Sequence, residues 1–154
     1  MKTKLPALFA SIAAILALSN QAALAKSGWL DNYDKALEKA KNEKKMVLID
    51  FTGSDWCGWC IKLDKEVFSK KEFKDYAKDK YVLLEIDFPQ LKRLSKSKQE
   101  EHDALAQKFG VQGYPTIVVL DANGEAKGTL GYVKGGPEAF IQELEKVSSK
   151  PGGS

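Results

Sequence analysis

Apolar side chains along this chain fall into two kinds of segment, helical stripes and short unbroken runs, separated by turn residues. In "DNYDKALEKAKNEKK", 31–45, Tyr33, Ala36, Leu37 and Ala40 share one helical face, Asp31 or Asn32 can cap it, and lysines gather at its end. A helix is expected there. "MVLIDF", 46–51, is an apolar run of the kind that forms a strand buried on both faces, interrupted only by Asp50. After "TGSDW", the stretch "CGWCIKLDKEVF" puts Cys60, Leu63 and Val67 on one face, so Cys57 and Cys60 are expected at the start of a second helix. Ser69 and Glu72 have the spacing of a capping box that opens further helix through Phe73, Tyr76 and Ala77. "YVLLEIDF", 81–88, reads as another buried strand.

From Pro89 to Asp103 the chain is highly charged, which reads as a solvated loop or helical insertion, with a docking surface as the alternative. Ser97 and Glu100 form a second capping-box pair, and the helix they open carries Leu105 and Phe109 inward before Gly110 stops it. "TIVVL", 116–120, is a third core strand, "DANG" a turn, and "EAKGTLGYV" an antiparallel hairpin partner near the sheet edge. Gly136 and Pro137 open a last helix striped with Phe140, Ile141, Leu144 and Val147. Strands alternating with helices predict parallel pairing by right-handed crossovers, with one antiparallel strand added by the final hairpin. The expected fold is a three-layer α/β sandwich, a mixed central sheet with helices on both faces.

The first 25 residues change the picture of where this domain works. Lys2 and Lys4 precede an apolar run from Leu5 to Leu18, polar residues follow, and "ALA" at 23–25 supplies small residues for cleavage. The run is shorter than the roughly 20 residues that cross a bilayer, so an export signal removed near Ala25 is preferred to a retained membrane helix. The expected organisation is a leader over 1–25, one domain over 26–149 and a flexible tail over 150–154. Outside the cytoplasm, thiols tend to be oxidised and a cysteine pair can cycle. The formal charge of +3 falls to about +1 without Lys2 and Lys4, which gives no reason to expect nucleic acid as a partner.

Cys57 and Cys60 are the only cysteines among the 154 residues. A zinc site on C-x-x-C needs two more ligands, and the chain offers one histidine, His102, so no metal is expected. As a fastener the pair is poor, since closing so short a loop constrains the unfolded chain by only about 2 kcal/mol. The remaining reading is chemical. At a helix start, unpaired backbone N–H groups favour a thiolate on Cys57, which becomes the nucleophile. Cys60, one turn on and directed inward, stays protonated until it resolves the mixed disulfide. Gly58 leaves room for a substrate backbone, and Trp56 and Trp59 offer apolar surface beside the sulfur, with simple packing as the other reading of the tryptophans. Asp50, a carboxyl within an apolar strand, is expected to have a raised pKa and so to act as a base near neutrality; a charge at the strand edge paired with a lysine is the alternative.

"VLIDF", "DWCGWC" and "GVQGYPTIVVLDANG", in that order, resemble the thioredoxin superfamily over Trp29 to Ser148. "DWC", Phe68 and "YPTIVVLDANGE" are closer to its exported members, including periplasmic thiol-disulfide reductase domains, than to cytoplasmic thioredoxin. The resemblance implies a thioredoxin-like fold, a cis Pro115 whose loop with Tyr114 binds extended substrate, and a role for Asp50 in moving the Cys60 proton. It also implies protein disulfides as substrates, exchange in the reducing direction, a membrane-embedded thiol reductant as donor, no cofactor, and a monomer. An oxidase, an isomerase or a non-enzymatic binding module of the same fold is the alternative. Trp59 stands where thioredoxins have proline, and "TGSDW" makes the Asp50–Cys57 link one residue longer than theirs.

Overall fold

A computed structural model describes residues 26–151, so the expected leader and the end of the expected tail lie outside the described residues. The elements are α1 (Tyr33–Glu43), β1 (Met46–Thr52), α2 (Gly58–Leu63), α3 (Lys71–Ala77), β2 (Tyr81–Asp87), α4 (Lys96–Lys108), β3 (Thr116–Leu120), β4 (Ala126–Leu130) and α5 (Gly136–Ser148). The sheet order is β2-β1-β3-β4. Alternation along the strands feeds two cores. Leu48, Ile117 and Val119 pack with Leu63, Phe68, Phe73, Phe140 and Leu144 on one face. Val47, Ile49, Phe51, Val118 and Leu120 pack with Ala36, Ala40 and Leu105 on the other. Helices thus cover both faces, and the expected three-layer architecture is the one observed.

Strand direction departs from the expectation. β1 and β2 are parallel, but β3 runs antiparallel to β1, with Phe51 opposite Thr116. The connection through α4 therefore returns the chain to the end of the sheet where β2 finished, rather than to the end where it began. This reversal carries the Pro115 loop to the C-terminal edge of β1, the edge from which the cysteine segment departs.

Two expected capping boxes do not form. Residues 64–68 continue α2 as a turn of π-helix, and Ser69 donates its hydroxyl to the Lys65 carbonyl, so Lys70 stands at the N-cap of α3 without a side-chain bond. A serine inside a continuing helix bonds backward to its own turn instead of capping the next one. Ser95, not Ser97, caps α4, accepting the Lys98 amide at 3.2 Å. The charged segment is also less solvated than its composition implies. His102 is buried against Phe88 and its Nδ1 bonds the Asp87 carbonyl at 2.8 Å.

The segment before α1 is tied to the outer edge of β2. Leu30 donates to the Leu83 carbonyl and accepts from the Glu85 amide, both at 2.8 Å. Trp29 then packs against Phe68, with ring centroids 5.0 Å apart. These bonds fix the course of Lys26.

Candidate active site

The sharp exit from β1 places the cysteines. Gly53 follows the strand, and a Cβ there would lie 2.5 Å from the Trp56 ring, so only glycine lets the indole fold back over the turn. Trp56 is locked in that place by its Nε1, which donates to the Phe88 carbonyl at 2.7 Å, and by an edge-on contact with Tyr114 at 5.9 Å. Asp55 accepts the amides of Gln90 and Leu91, both at 2.9 Å, and these bonds hold its carboxyl below the usual range. The start of the charged segment is thereby fastened beside the cysteine turn. Neither Gly53 nor Asp55 was singled out from the sequence; "TGSDW" signals a turn without saying what it clasps.

Cys57 is the N-cap of α2, and its Sγ accepts the Cys60 amide at 3.2 Å. A backbone donor aimed at the sulfur favours the thiolate over the thiol. Cys57 and Cys60 form a disulfide with Cα atoms 5.2 Å apart. Around it lie the residues expected of a docking rim. Space over Gly58 is open, Trp56 and Trp59 are 41% and 57% exposed, and Trp59 packs against Tyr132 in a tilted pair with ring centroids 5.0 Å apart. Tyr132 is a rim residue that sequence reading did not single out. The Tyr114–Pro115 peptide bond is cis, and its loop reaches this rim through the contact of Tyr114 with Trp56.

Asp50 lies buried in β1, flanked by Glu85 of β2 and Ile117 of β3. The buried carboxyl is paired with a lysine, but within an internal strand rather than at the sheet edge. Lys26 Nζ lies 3.0 Å from Asp50 Oδ2, 3.0 Å from Asp64 Oδ1 and 3.3 Å from Glu85 Oε1. Burial is the strongest influence on Asp50 and raises its pKa to about 6 even though the Lys26 charge and hydrogen bond pull it down. Burial also works against the Lys26 charge, but the carboxylates of Asp50, Glu85 and Asp64 together outweigh it and raise its pKa. A pocket of about 150 Å³ is lined by Cys60 and by Lys26, Asp64 and Glu85, the three charged neighbours of Asp50. Lys26, Asp64 and Glu85 are the ionisable residues that sequence reasoning missed. Their only signal was Asp50 itself, a buried charge that demands partners.

Among the described residues, no group of three or more histidine, cysteine, aspartate or glutamate side chains is placed to hold a metal ion, and no helix is long and apolar enough to cross a membrane.

Comparison with known proteins places this geometry in a family. Residues 33–148 match the model of the thioredoxin-like domain. The chain is 33% identical over 117 residues to the disulfide bond reductase DsbH of Chlamydia pneumoniae, covering 76% of this chain and 70% of that one. It is 32% identical over 92 residues to the thioredoxin-related protein DsbJ of the same organism, covering 60% of this chain but 26% of that longer one. A solved structure of a DsbH oxidoreductase superposes with a TM-score of 0.72 at 30% identity, over 83% of this chain and 92% of that one. With its cysteine pair at a helix start, the chain belongs to the thioredoxin-like family, as a thiol-disulfide oxidoreductase of the thioredoxin and Dsb type.

Proposed function

We propose that the protein reduces disulfides in exported proteins, with Cys57 as nucleophile, Cys60 as resolving thiol and Asp50 as the base that receives the Cys60 proton. The observation that carries this reading is the Cys57 sulfur at the N-cap of α2, accepting the Cys60 amide. Cys57 thiolate attacks one sulfur of the substrate disulfide, forming a mixed disulfide and expelling the first substrate thiolate. Cys60 passes its proton to Asp50, attacks the Cys57 sulfur, and expels the second substrate thiolate. The substrate gains two electrons and two protons; the protein is left with its internal disulfide. No metal or nucleotide enters the cycle.

The open face at Gly58, the aromatic walls of Trp56 and Trp59, and the Tyr114–Pro115 loop suit an extended substrate segment laid across the disulfide. Stacking and apolar burial by the tryptophans supply affinity, and backbone groups near Pro115 supply register. The reducing direction is supported by the likeness to DsbH, a disulfide bond reductase of which this chain covers 70%. The lysine-led apolar start of the sequence supports export, with a single leader over 1–25 removed near Ala25 and the folded domain over 26–149 working as a monomer. A reductant in an oxidising compartment must be re-reduced, and a membrane-embedded thiol donor is the chemistry that fits. Equilibration of the purified protein with glutathione buffers tests the direction. A potential at or below about −200 mV agrees with a reductase, and one near the −120 mV of a strong oxidant contradicts it.

A further inference from the structure

We infer that the segment from Leu91 to Lys96 selects substrates: it binds an acidic stretch of the target protein that lies a few residues from the disulfide under attack. The inference rests on the exchange with protein disulfides proposed above. Residues 88–99 contain four basic side chains, Lys92, Arg93, Lys96 and Lys98, and no acidic one. Lys98 has structural work, donating to the Asp31 carbonyl and pairing with Glu101. The other three are exposed. Lys92 lies 3.6 Å from Asp87 and Lys96 3.7 Å from Glu100, long surface pairs that neutralise little, and Arg93 has no ion pair among the described residues. Asp87 is moreover already taken by the amide and hydroxyl of Ser54. The start of α4 adds to the excess. Helices ordinarily gather acids in their first turn, where free amides leave partial positive charge, yet α4 has none there and carries Lys96 and Lys98 instead. A local conflict of this kind is expected where a segment serves binding rather than stability, and an external carboxylate resolves it.

Position makes this a substrate surface. The Gln90 and Leu91 amides both donate to Asp55, two residues before Cys57, and the Phe88 carbonyl accepts from Trp56, the residue next to that cysteine. At the other end Ser95 caps α4, and His102, buried against Phe88, ties the helix to the Asp87 carbonyl. The segment is thus held at both ends before substrate arrives, and little order has to be imposed on binding. Leu91, 84% exposed, stands at its head. Beyond it an open groove of about 510 Å³ is lined by Gln90, Lys92, Arg93, Leu94 and Lys96, with Glu100 as its one acidic residue. An extended strand advances about 3.3 Å per residue, so a substrate leaving the cysteine rim reaches this groove within about three to five residues. Whatever lies there during exchange belongs to the protein whose sulfur is bonded to Cys57. A membrane surface fits less well, since Leu91 is the segment's only large exposed apolar side chain.

Selection can be read as a ratio. Reduced protein is mixed with symmetrical disulfides of two short peptides that differ only three to five positions from the cysteine on either side, Asp and Glu in one and Lys in the other. The rates of exchange are compared, each divided by the same peptide's rate with dithiothreitol. The parent is expected to favour the acidic peptide by about five- to tenfold at low salt and by less than about twofold in roughly 0.5 M salt. Lys92→Glu with Arg93→Glu is expected to bring the ratio to one or below. Lys70→Glu with Lys74→Glu, the same change of charge on α3, is expected to leave it within about twofold of the parent's. Each ratio is taken within one preparation, so partial loss of folded protein cancels. A parent ratio near one at low salt, a ratio that reversal at Lys92 and Arg93 does not move, or one that reversal on α3 moves equally overturns the inference. A ratio of one beside phosphatidylglycerol vesicles that bind the parent but not the Lys92 and Arg93 variant assigns the surface to a membrane instead. A parent that exchanges with neither peptide removes the protein-disulfide reading and this surface with it.

Discussion

Cys57→Ser is expected to leave no measurable thiol-disulfide exchange, a loss of at least about a thousandfold, because a serine hydroxyl at this position has no base to ionise it and cannot form the mixed disulfide. Cys60→Ser is expected to stop the cycle one step later, with substrate held covalently on Cys57. Insulin reduction measures the first, and intact mass of the protein after incubation with a disulfide substrate measures the second. The asymmetry follows from position. Cys57 is the N-cap whose sulfur receives a backbone donor, while Cys60 lies inside the first turn of α2 and is the more buried of the two. Equal trapping by both variants contradicts the division of roles.

Asp50→Asn is expected to slow resolution by about ten- to a hundredfold near neutrality while making the folded protein more stable. The sign on stability comes from the raised pKa. Between the ordinary aspartate value of about 3.8 and the folded value of about 6, the native state binds the Asp50 proton more tightly than the unfolded chain does. The contribution of Asp50 therefore falls as pH rises through that window and stays low above it. Asparagine removes a buried charge that costs of order 3 kcal/mol at pH 7, and Lys26 keeps Asp64 and Glu85 as partners. The variant should gain most above about pH 6 and little below about pH 4. Urea unfolding at pH 4 and pH 7.5, set beside turnover at pH 7 and pH 9, checks both halves. A variant less stable at pH 7.5, or one whose rate deficit does not shrink at pH 9, contradicts this account of the buried carboxyl.

Much of this was open to reading from the residues because the pattern and the chemistry lie close together in the chain. "MVLIDF" shows a buried strand and, in the same six letters, a carboxyl with no right to be there unless it has work or partners. "DWCGWC" places two sulfurs one helical turn apart by spacing alone. What escaped depends on register and long-range pairing. Glu85 reads as one charge in "YVLLEIDF" until β1 and β2 pair in parallel and bring it opposite Asp50. Lys26 lies 24 positions before Asp50 and carries no periodic signal; the backbone bonds of Leu30 to β2 and of Trp29 to Lys26 hold the segment that brings its ammonium inward. The direction of β3 is hidden from the sequence for a related reason. A helix between two strands is compatible with either return of the chain, and the sequence of α4 does not encode which end of the sheet it reaches. Ser69 failed as a cap because the preceding helix did not stop where a capping box would require it to.

The measurement closest to the centre of the account is the pH dependence of alkylation in the fully reduced protein, with mass mapping of the modified sulfur. Cys57 should react first, with an apparent pKa below the roughly 8.5 of an unperturbed thiol, and Cys60 should remain unmodified until well above it. A Cys57 pKa at or above 8.5, or alkylation of Cys60 ahead of Cys57, would contradict the proposal that the start of α2 holds a reactive thiolate.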